Sequence, residues 1–362
     1  MNQPTGGTGG KVTIAGLAEQ LGISKASVSY ALNGQPGVSD ATRARVLALA
    51  SELGWYPSSS ARALSHSRSE AVGIVLSRDA EQVGSEPFYM NILAGIESVL
   101  GAHETSLLLR MVAPRTGSGE GQDLAVYKRW GGEKRVDGVI LFDHFQQDPR
   151  PPLLDTLGLP YVRLGAPEGS GTTAKSANTT VAQNVDAATL VEALHDRGHR
   201  HIAYVSGPMA LIHEVARTAS IRDHAQRLGM TAVFTPSDYT ADDGGTATIA
   251  VVAGLAPGSA EFPTGIIYGN DLMAVGGLRA LKRLGLAVPE QVSILSWDDS
   301  ILCQFSSPAV AALSRDTMDL GRRSAALLLE IIGGHETQNV PSPPGRLVPR
   351  ESLSQAAGAT GP

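Results

Sequence analysis

The chain has 362 residues, 42% of them hydrophobic and 18% charged. That length argues for two or three domains rather than one core, the composition is that of an ordinary globular protein, and no apolar run reaches the ~18 residues that span a bilayer. A formal net charge of −6 excludes a uniformly basic nucleic-acid binder. Residues 1–68, however, hold six basic groups against three acidic ones, so a small basic head precedes an acidic body.

Residues 1–10 are rich in Gly and Thr and are expected to be disordered. They contain no apolar stretch of the secretory kind, and the single Cys303 has no internal disulfide partner. Both features lead us to expect a cytoplasmic protein with no membrane partner, and Cys303 is expected to be a buried thiol.

From Thr13, the apolar positions Ile14, Leu17, Ala18 and Leu21 recur at helical spacing, and Gly22 stops the run. Ser24 is placed to cap a second helix in which Val28, Ala31 and Leu32 face the first. Two short helices joined by the turn Gly22-Ile23-Ser24 read as a helix-turn-helix, whose second helix enters the major groove of DNA. Lys25, Ala26, Ser29, Tyr30 and Asn33 then form the candidate reading face. A third helix is expected from Asp40 to Leu53, capped by Ser39 and ended by Gly54. The alternative is an amphipathic hairpin that merely packs on the rest of the chain.

Certain anchors recur in order: Val12-Thr13-Ile14, Gly22-Ile23-Ser24, Val28-Ser29, Leu32-Asn33-Gly34, Val38-Ser39, Thr42-Arg43, Arg45-Val46, Leu53-Gly54-Trp55-Tyr56-Pro57 and Ala61-Arg62-Ala63-Leu64. With these, the segment resembles the DNA-binding head and hinge of the lactose/galactose repressor (LacI/GalR) family. The resemblance implies DNA contacts from Thr13, Ser24, Lys25, Ala26, Ser27, Ser29, Tyr30 and Asn33. It also implies a hinge over residues 57–68 that becomes helical only on operator DNA, with Leu64 wedging into the minor groove. Ser58, Ser59, Ser60 and Ser65 make that stretch too polar and short for a stable isolated helix, and a plain Ser-rich linker is the alternative. Two positions depart from the family pattern. Tyr30 stands where many members have Arg, the side chain that reads guanine bidentately, and Gly16 stands where many have Asp, which lowers helix propensity.

Beyond Arg68, strands are expected over Ala71–Leu76, Leu107–Val112, Val136–Phe142, Tyr161–Leu164, Ile202–Val205, Ala232–Phe234, Gly265–Tyr268 and Val292–Ser296. Helices alternate with them near Tyr89–His103, Gln183–Asp196, Val215–Leu228, Leu272–Leu284 and Thr317–Ile332, and the pair Asp242-Asp243 reads as a further helix start. Alternation of this kind gives an α/β body of doubly wound parallel sheets, and its length suggests two of them. Ligands in such folds bind at the carboxyl ends of strands, where Tyr268-Gly269-Asn270-Asp271, Trp297-Asp298-Asp299 and Ser206-Gly207-Pro208 place polar side chains.

The body resembles the sugar-binding domain of the same family, itself similar to periplasmic sugar-binding proteins. The matching runs include Pro87-Phe88-Tyr89, Val136-Asp137-Gly138, Gly198-His199-Arg200-His201-Ile202-Ala203, Gly269-Asn270-Asp271 and Val348-Pro349-Arg350-Glu351-Ser352. By resemblance, Arg217, Asn270 and Asp298 contact the effector, and Phe88 or Tyr89 covers the apolar face of a sugar ring. The alternatives are a helix cap for Asp298 and a core position for Phe88. Ser296-Trp297 before the aspartate and the stretch Glu168–Asn178 are atypical of the family.

The resulting expectation is an all-α helix-turn-helix head (11–56), a hinge (57–68), a two-subdomain effector-binding and dimerisation domain (69–353) and a disordered tail (354–362). The protein is expected to be a homodimeric repressor of a pseudo-palindromic operator, controlled by a small polar effector such as a sugar. Neither enzymatic activity nor a cofactor or metal is expected. Thr5-Gly6-Gly7-Thr8-Gly9-Gly10-Lys11 lacks the first glycine, the Ser/Thr and the preceding strand of a phosphate loop. His195, His199 and His201 read as a solvated helix end with no Cys or Glu to complete a metal site. A transport solute-binding protein would share the body but would need a signal peptide and no DNA-binding head.

Overall fold

The computed structural model describes residues 12–55, 68–115 and 121–356. The chain divides into two units, Met1–Ser69 and Glu70–Pro362.

Among the described residues, the first unit holds three helices: α1 (Ile14–Leu21), α2 (Lys25–Leu32) and α3 (Asp40–Glu52). Helices α2 and α3 start at the expected caps Ser24 and Ser39, and Thr13 caps α1. The hydroxyls of Thr13, Ser24 and Ser39 accept from the backbone N–H of Gly16, Ser27 and Thr42 at 3.2, 3.0 and 3.2 Å, and such caps contribute about 1 kcal/mol each. Gly22 ends α1 in the left-handed conformation at φ 67°, which a side chain would disfavour. The helix closes despite Gly16. Leu17, Ala18, Val28, Ala31, Val46 and Ala50 are the small buried core, and Leu32, Leu49 and Leu53 pack at its rim.

The second unit contains two six-stranded sheets. Its first part runs β1 (Ala71–Ser77), α4 (Ala80–Ser85), α5 (Pro87–Ala102), β2 (Ser106–Val112), α6 (Gln122–Gly132), β3 (Gly138–Leu141), α7 (Arg150–Leu157), β4 (Tyr161–Ala166) and β5 (Ser176–Thr180). The second runs α8 (Gln183–His195), β6 (His201–Ser206), α9 (Ile212–Arg227), β7 (Thr231–Pro236), α10 (Ala241–Val252), β8 (Gly265–Tyr268), α11 (Asp271–Arg283), β9 (Ser293–Ser296), α12 (Ile301–Phe305) and β10 (Ala311–Ser314). The chain then returns through α13 (Thr317–Ile332) and β11 (Val340–Pro341) before ending on β12 (Arg346–Val348).

The sheet orders are β11-β5-β4-β3-β1-β2 and β12-β10-β9-β8-β6-β7. Every pairing is parallel except β10 with β12. Alternate residues of each strand feed opposite faces. In the first sheet, Val72, Ile74 and Leu76 meet α5 and α13, while Val75, Val139 and Leu141 meet α6 and α7. In the second, Ala203, Ile266 and Ile294 meet α10 and α11, while Tyr204, Ile267 and Leu295 meet α8 and α9. Each fully buried Leu or Ile contributes about 1.5–3 kcal/mol. Helix α13 follows a strand of the second sheet yet docks on the first. Glycines permit this: a Cβ on Gly95 would lie 2.0 Å from the Met318 carbonyl oxygen and one on Gly321 2.3 Å from that of Ile92, so α5 and α13 touch backbone to backbone.

The atypical stretch Glu168–Asn178 contains a turn bridging Thr173 and Ser176 that leads directly into β5. Three expectations need correction. The third strand of the first sheet starts at Gly138 rather than Val136, which is buried but unpaired with it. The tail does not begin at Ser354: its N–H donates to Ser293 Oγ and the Ala356 N–H to the Arg197 carbonyl. His199 is no solvated group either, since it is buried between Thr264 Oγ1 at 2.9 Å and the Ser354 carbonyl at 3.1 Å.

Candidate functional site

The chain crosses between the two sheets three times, from β5 to α8, from β10 to α13 and from β11 to β12. These crossings and the carboxyl ends of β1, β3, β8 and β9 enclose a cleft of about 230 Å³. Its walls include Arg78, Glu86, Asp143, His144, Gln183, His213, Tyr239 and Arg315 together with Phe88, Tyr89, Arg217, Asn270 and Asp298. All five effector candidates from the sequence therefore line one cleft.

Their individual settings differ. Asn270 is the N-cap of α11: its Oδ1 accepts the Met273 N–H at 2.9 Å and its Nδ2 donates to the Tyr239 carbonyl at 3.0 Å. Asp298 is not a helix cap. Ser300 caps α12, and Asp298 Oδ1 instead accepts from Arg315 Nη2 at 2.8 Å. Arg217 donates to Glu214, Gln183 and the Gly269 carbonyl, and its guanidinium lies 4.4 Å above the Trp297 ring. Tyr89 is buried with its hydroxyl donating to Asp143 Oδ2 at 2.9 Å, whereas Phe88 is half-buried and stands edge-on to it. Phe88 belongs to the core margin and to the cleft wall at once.

The residues that sequence reasoning missed are mostly charged. Arg78, one residue past β1, makes a bidentate pair with Asp143 at 2.8 and 3.1 Å, and its guanidinium lies 5.5 Å from the Tyr89 ring and 5.0 Å from that of Tyr239. Burial alone would raise the Asp143 carboxyl, but the adjoining Arg78 charge holds it well below the usual carboxylate range. Glu214 is fully buried and accepts from Tyr204, Tyr239 and Arg217 at 2.7, 2.6 and 2.9 Å. Those donors outweigh burial and keep it ionised. Burial pushes the imidazoles of His144 and His213 down to about 4, so both are neutral at pH 7. The Tyr239 hydroxyl gives its proton to Glu214, so His213 Nε2 is the donor to it at 2.7 Å. Likewise His144 Nε2 donates to the Leu164 carbonyl, which leaves Nδ1 an acceptor.

Three polar side-chain atoms on the cleft wall are buried without a hydrogen-bond partner among the described residues: Glu86 Oε1, His144 Nδ1 and Ser342 Oγ. Buried polar atoms left unpaired cost about 1–3 kcal/mol each, so a polar ligand that met them would gain that back. The one positional signal in the sequence was proximity to strand ends, which Arg78 and Asp143 satisfy.

In the head, Lys25, Ala26 and Tyr30 are exposed on α2, while Ser29 and Asn33 are half-buried and bonded to each other, Asn33 Nδ2 to Ser29 Oγ at 3.3 Å. Thr13, Ser24 and Ser27 gather at the amino ends of α1 and α2, Ser24 Oγ lying 2.9 Å from Ser27 Oγ. Helix amino ends attract phosphate. Leu64 and most of the expected hinge lie outside the described residues.

Comparison with known proteins bears on both units. Residues 13–58 match the lacI family of bacterial regulatory proteins, and residues 191–353 match the periplasmic binding protein-like domain. The chain is 30% identical over 335 residues to the HTH-type transcriptional regulator CelR of Thermobifida fusca, covering 91% of this chain and 94% of that protein. It is 28% identical to the repressor CytR of Escherichia coli, covering 89% and 90%. Among solved structures, a CelR–cellobiose complex aligns with a TM-score of 0.66 at 28% identity, covering 94% of this chain and all of that one. The lac repressor dimer bound to operator gives 0.79 at 24% identity, over 95% of this chain and 99% of that one, which supports the fold. With its capped helix-turn-helix and its two-sheet cleft, the chain belongs to the lacI family of bacterial regulatory proteins, as a transcriptional regulator that joins a DNA-binding head to an effector-binding domain.

Proposed function

We propose that this regulator acts in the cytoplasm as a homodimeric repressor of a pseudo-palindromic operator, and that a small polar effector, a sugar, bound in the two-sheet cleft controls its grip on DNA. The observation that carries this reading is the convergence of Phe88, Tyr89, Arg217, Asn270 and Asp298, distant in sequence, on one cleft with unmet polar atoms. A half-buried aromatic ring beside a carboxylate, an amide and a guanidinium suits the apolar face and the hydroxyls of a sugar. The CelR–cellobiose complex among its structural relatives supports the same class.

On the DNA side, Lys25, Ala26, Ser29, Tyr30 and Asn33 are the base-reading set, and Thr13, Ser24 and Ser27 hold phosphates. Leu64 is the minor-groove wedge of a hinge over 57–68, between a head over 11–56 and a body over 69–353. Subunit pairing is supported by α12, which exposes Ile301 at 59% and Phe305 at 81% of their surface, an apolar pair of the kind that interfaces cover.

A thermal-shift panel of neutral mono- and disaccharides tests the effector class, because a ligand that binds only the native state raises the melting temperature. The expected result is a shift with a sugar that also changes operator affinity about tenfold or more. A shift with no sugar, or one that leaves DNA binding untouched, contradicts the reading.

A further inference from the structure

The sugar-cleft reading leaves open what kind of sugar the cleft accepts, and the charges around Glu86 bear on this. Glu86 immediately precedes α5, is 6% exposed, lines the cleft and has Oε1 buried with no hydrogen-bond partner among the described residues. Arg78 at the end of β1, Asp143 after β3, Asp271 at the start of α11 and Asp298 after β9 all act on it electrostatically.

The arginines of the cleft are committed elsewhere. Arg78 gives Nε and Nη2 to Asp143; Arg217 pairs with Glu214; Arg315 divides itself between Asp186 and Asp298. Arg322 and Arg323, which do not line the cleft, serve Asp316 and Asp319, which do. In these pairs, among the described residues, five guanidiniums meet six carboxylates before Glu86 is counted. An anionic ligand would find no spare guanidinium and an excess of negative charge, while the unpaired acceptors Glu86 Oε1 and His144 Nδ1 ask for hydrogen-bond donors.

We infer that Glu86 is a specificity-determining residue of the cleft: its carboxyl gives an O–H to one ligand oxygen and takes a hydroxyl in return. This selects uncharged polyols and turns away phosphorylated or acidic sugars. The inference rests on the sugar-cleft reading above. It agrees with the protonation of the empty site, where burial and the neighbouring Asp143, Asp298 and Asp271, opposed by Arg78, push the Glu86 carboxyl up to about 8. A ligand that needs the protonated acid binds with constant affinity below that pH and weakens as the acid fraction falls above it, towards tenfold per pH unit.

Titration calorimetry of the full chain across the range bracketing pH 8, with glucose, galactose, maltose and cellobiose as neutral probes and glucose 6-phosphate and glucuronate as anionic ones, tests this. We expect a neutral probe to bind, its affinity to fall only above about pH 8, and the anionic probes to bind at least about tenfold more weakly. Glu86→Ala should weaken the neutral probe about tenfold or more at every pH. Glu86→Gln, which keeps a donor and an acceptor but cannot ionise, should recover most of that loss and flatten the pH profile. Affinity that holds or rises above pH 8, tighter binding of an anionic probe, or a folded Glu86→Gln variant no better than Glu86→Ala would overturn the role of Glu86 and leave the sugar reading standing. Absence of binding by every neutral probe would overturn both.

Discussion

Arg315 Nη2 lies 2.8 Å from Asp298 Oδ1 while its Nη1 lies 2.7 Å from Asp186 Oδ2, and Asp186 also accepts the Gly345 N–H at 2.7 Å. Asp186 sits near the first crossing between the sheets, Arg315 on the second and Gly345 on the third. A residue proposed to touch the effector is thus bonded into the segments about which the two sheets would move. Replacing Asp298 by Ala leaves Arg315 its pair with Asp186, so the fold should persist. Effector affinity should fall about ten- to a hundredfold, the scale of a charged hydrogen bond, with operator affinity in the absence of effector unchanged. Calorimetry and fluorescence anisotropy on the same preparation check both halves.

Glu214 makes a second, more severe prediction. Glu214→Ala would leave the Arg217 guanidinium and the hydroxyls of Tyr204 and Tyr239 without their shared acceptor in a fully buried place. Breaking a buried pair by removing one partner costs about 3–5 kcal/mol. Tyr239→Phe removes two hydrogen bonds, the one given to Glu214 and the one taken from His213, and should cost about 2 kcal/mol. Urea unfolding of the two variants should separate them by that margin.

Stability should also depend on Glu86 and pH. Its folded value of about 8 lies above the ordinary 4.5, so the native state holds a proton that the unfolded chain releases between those values. Stability contributed this way is present below about 4.5 and is lost as pH rises towards 8. Glu86→Gln should therefore be the more stable protein at alkaline pH, by on the order of 2–4 kcal/mol, with the difference vanishing in acid. Denaturation midpoints measured at both ends of this range check it.

Two variants test the DNA side. Tyr30→Arg should add guanine preference at one position of each half-site, worth about 1–3 kcal/mol. Leu64→Ser should weaken operator binding by a similar 1–3 kcal/mol while random DNA binding changes little, since a wedge acts on one base step. Equal losses on operator and random DNA would make Leu64 an ordinary linker residue. Competition binding against defined half-site changes gives both numbers.

Much of this architecture was legible in the sequence because its signals are local. Hydroxyl caps at Ser24 and Ser39 and the glycine at 22 mark the head's helices, and apolar runs such as Gly265–Tyr268 mark buried parallel strands. The elements that escaped carry weaker or contrary local signals. Strand β5, Ser-Ala-Asn-Thr-Thr, is polar yet fully buried, because Arg163, Ser324 and Asn339 bond to it. β11 and β12 are strands only because the sheet edges receive them. The cleft was half legible. Asn270 and Asp298 stood in recognisable runs and Arg217 came from the family resemblance alone, but the Arg78–Asp143 pair joins residues 65 apart, and nothing local in either announces the other. The Asn270 cap shows the same limit: a residue at a strand end can serve a helix and a ligand at once.

The central claim is that occupancy of the two-sheet cleft controls the head's grip on operator DNA. The most direct test is anisotropy of a labelled fragment from the gene's own upstream region, titrated with protein at fixed salt with and without a cleft-binding sugar, using wild type and Asp298→Ala. The account predicts preferential binding to that fragment over random DNA, a shift in affinity of about tenfold or more with sugar, and loss of that shift in the variant. Operator affinity that ignores a sugar proven by calorimetry to bind the cleft would contradict it.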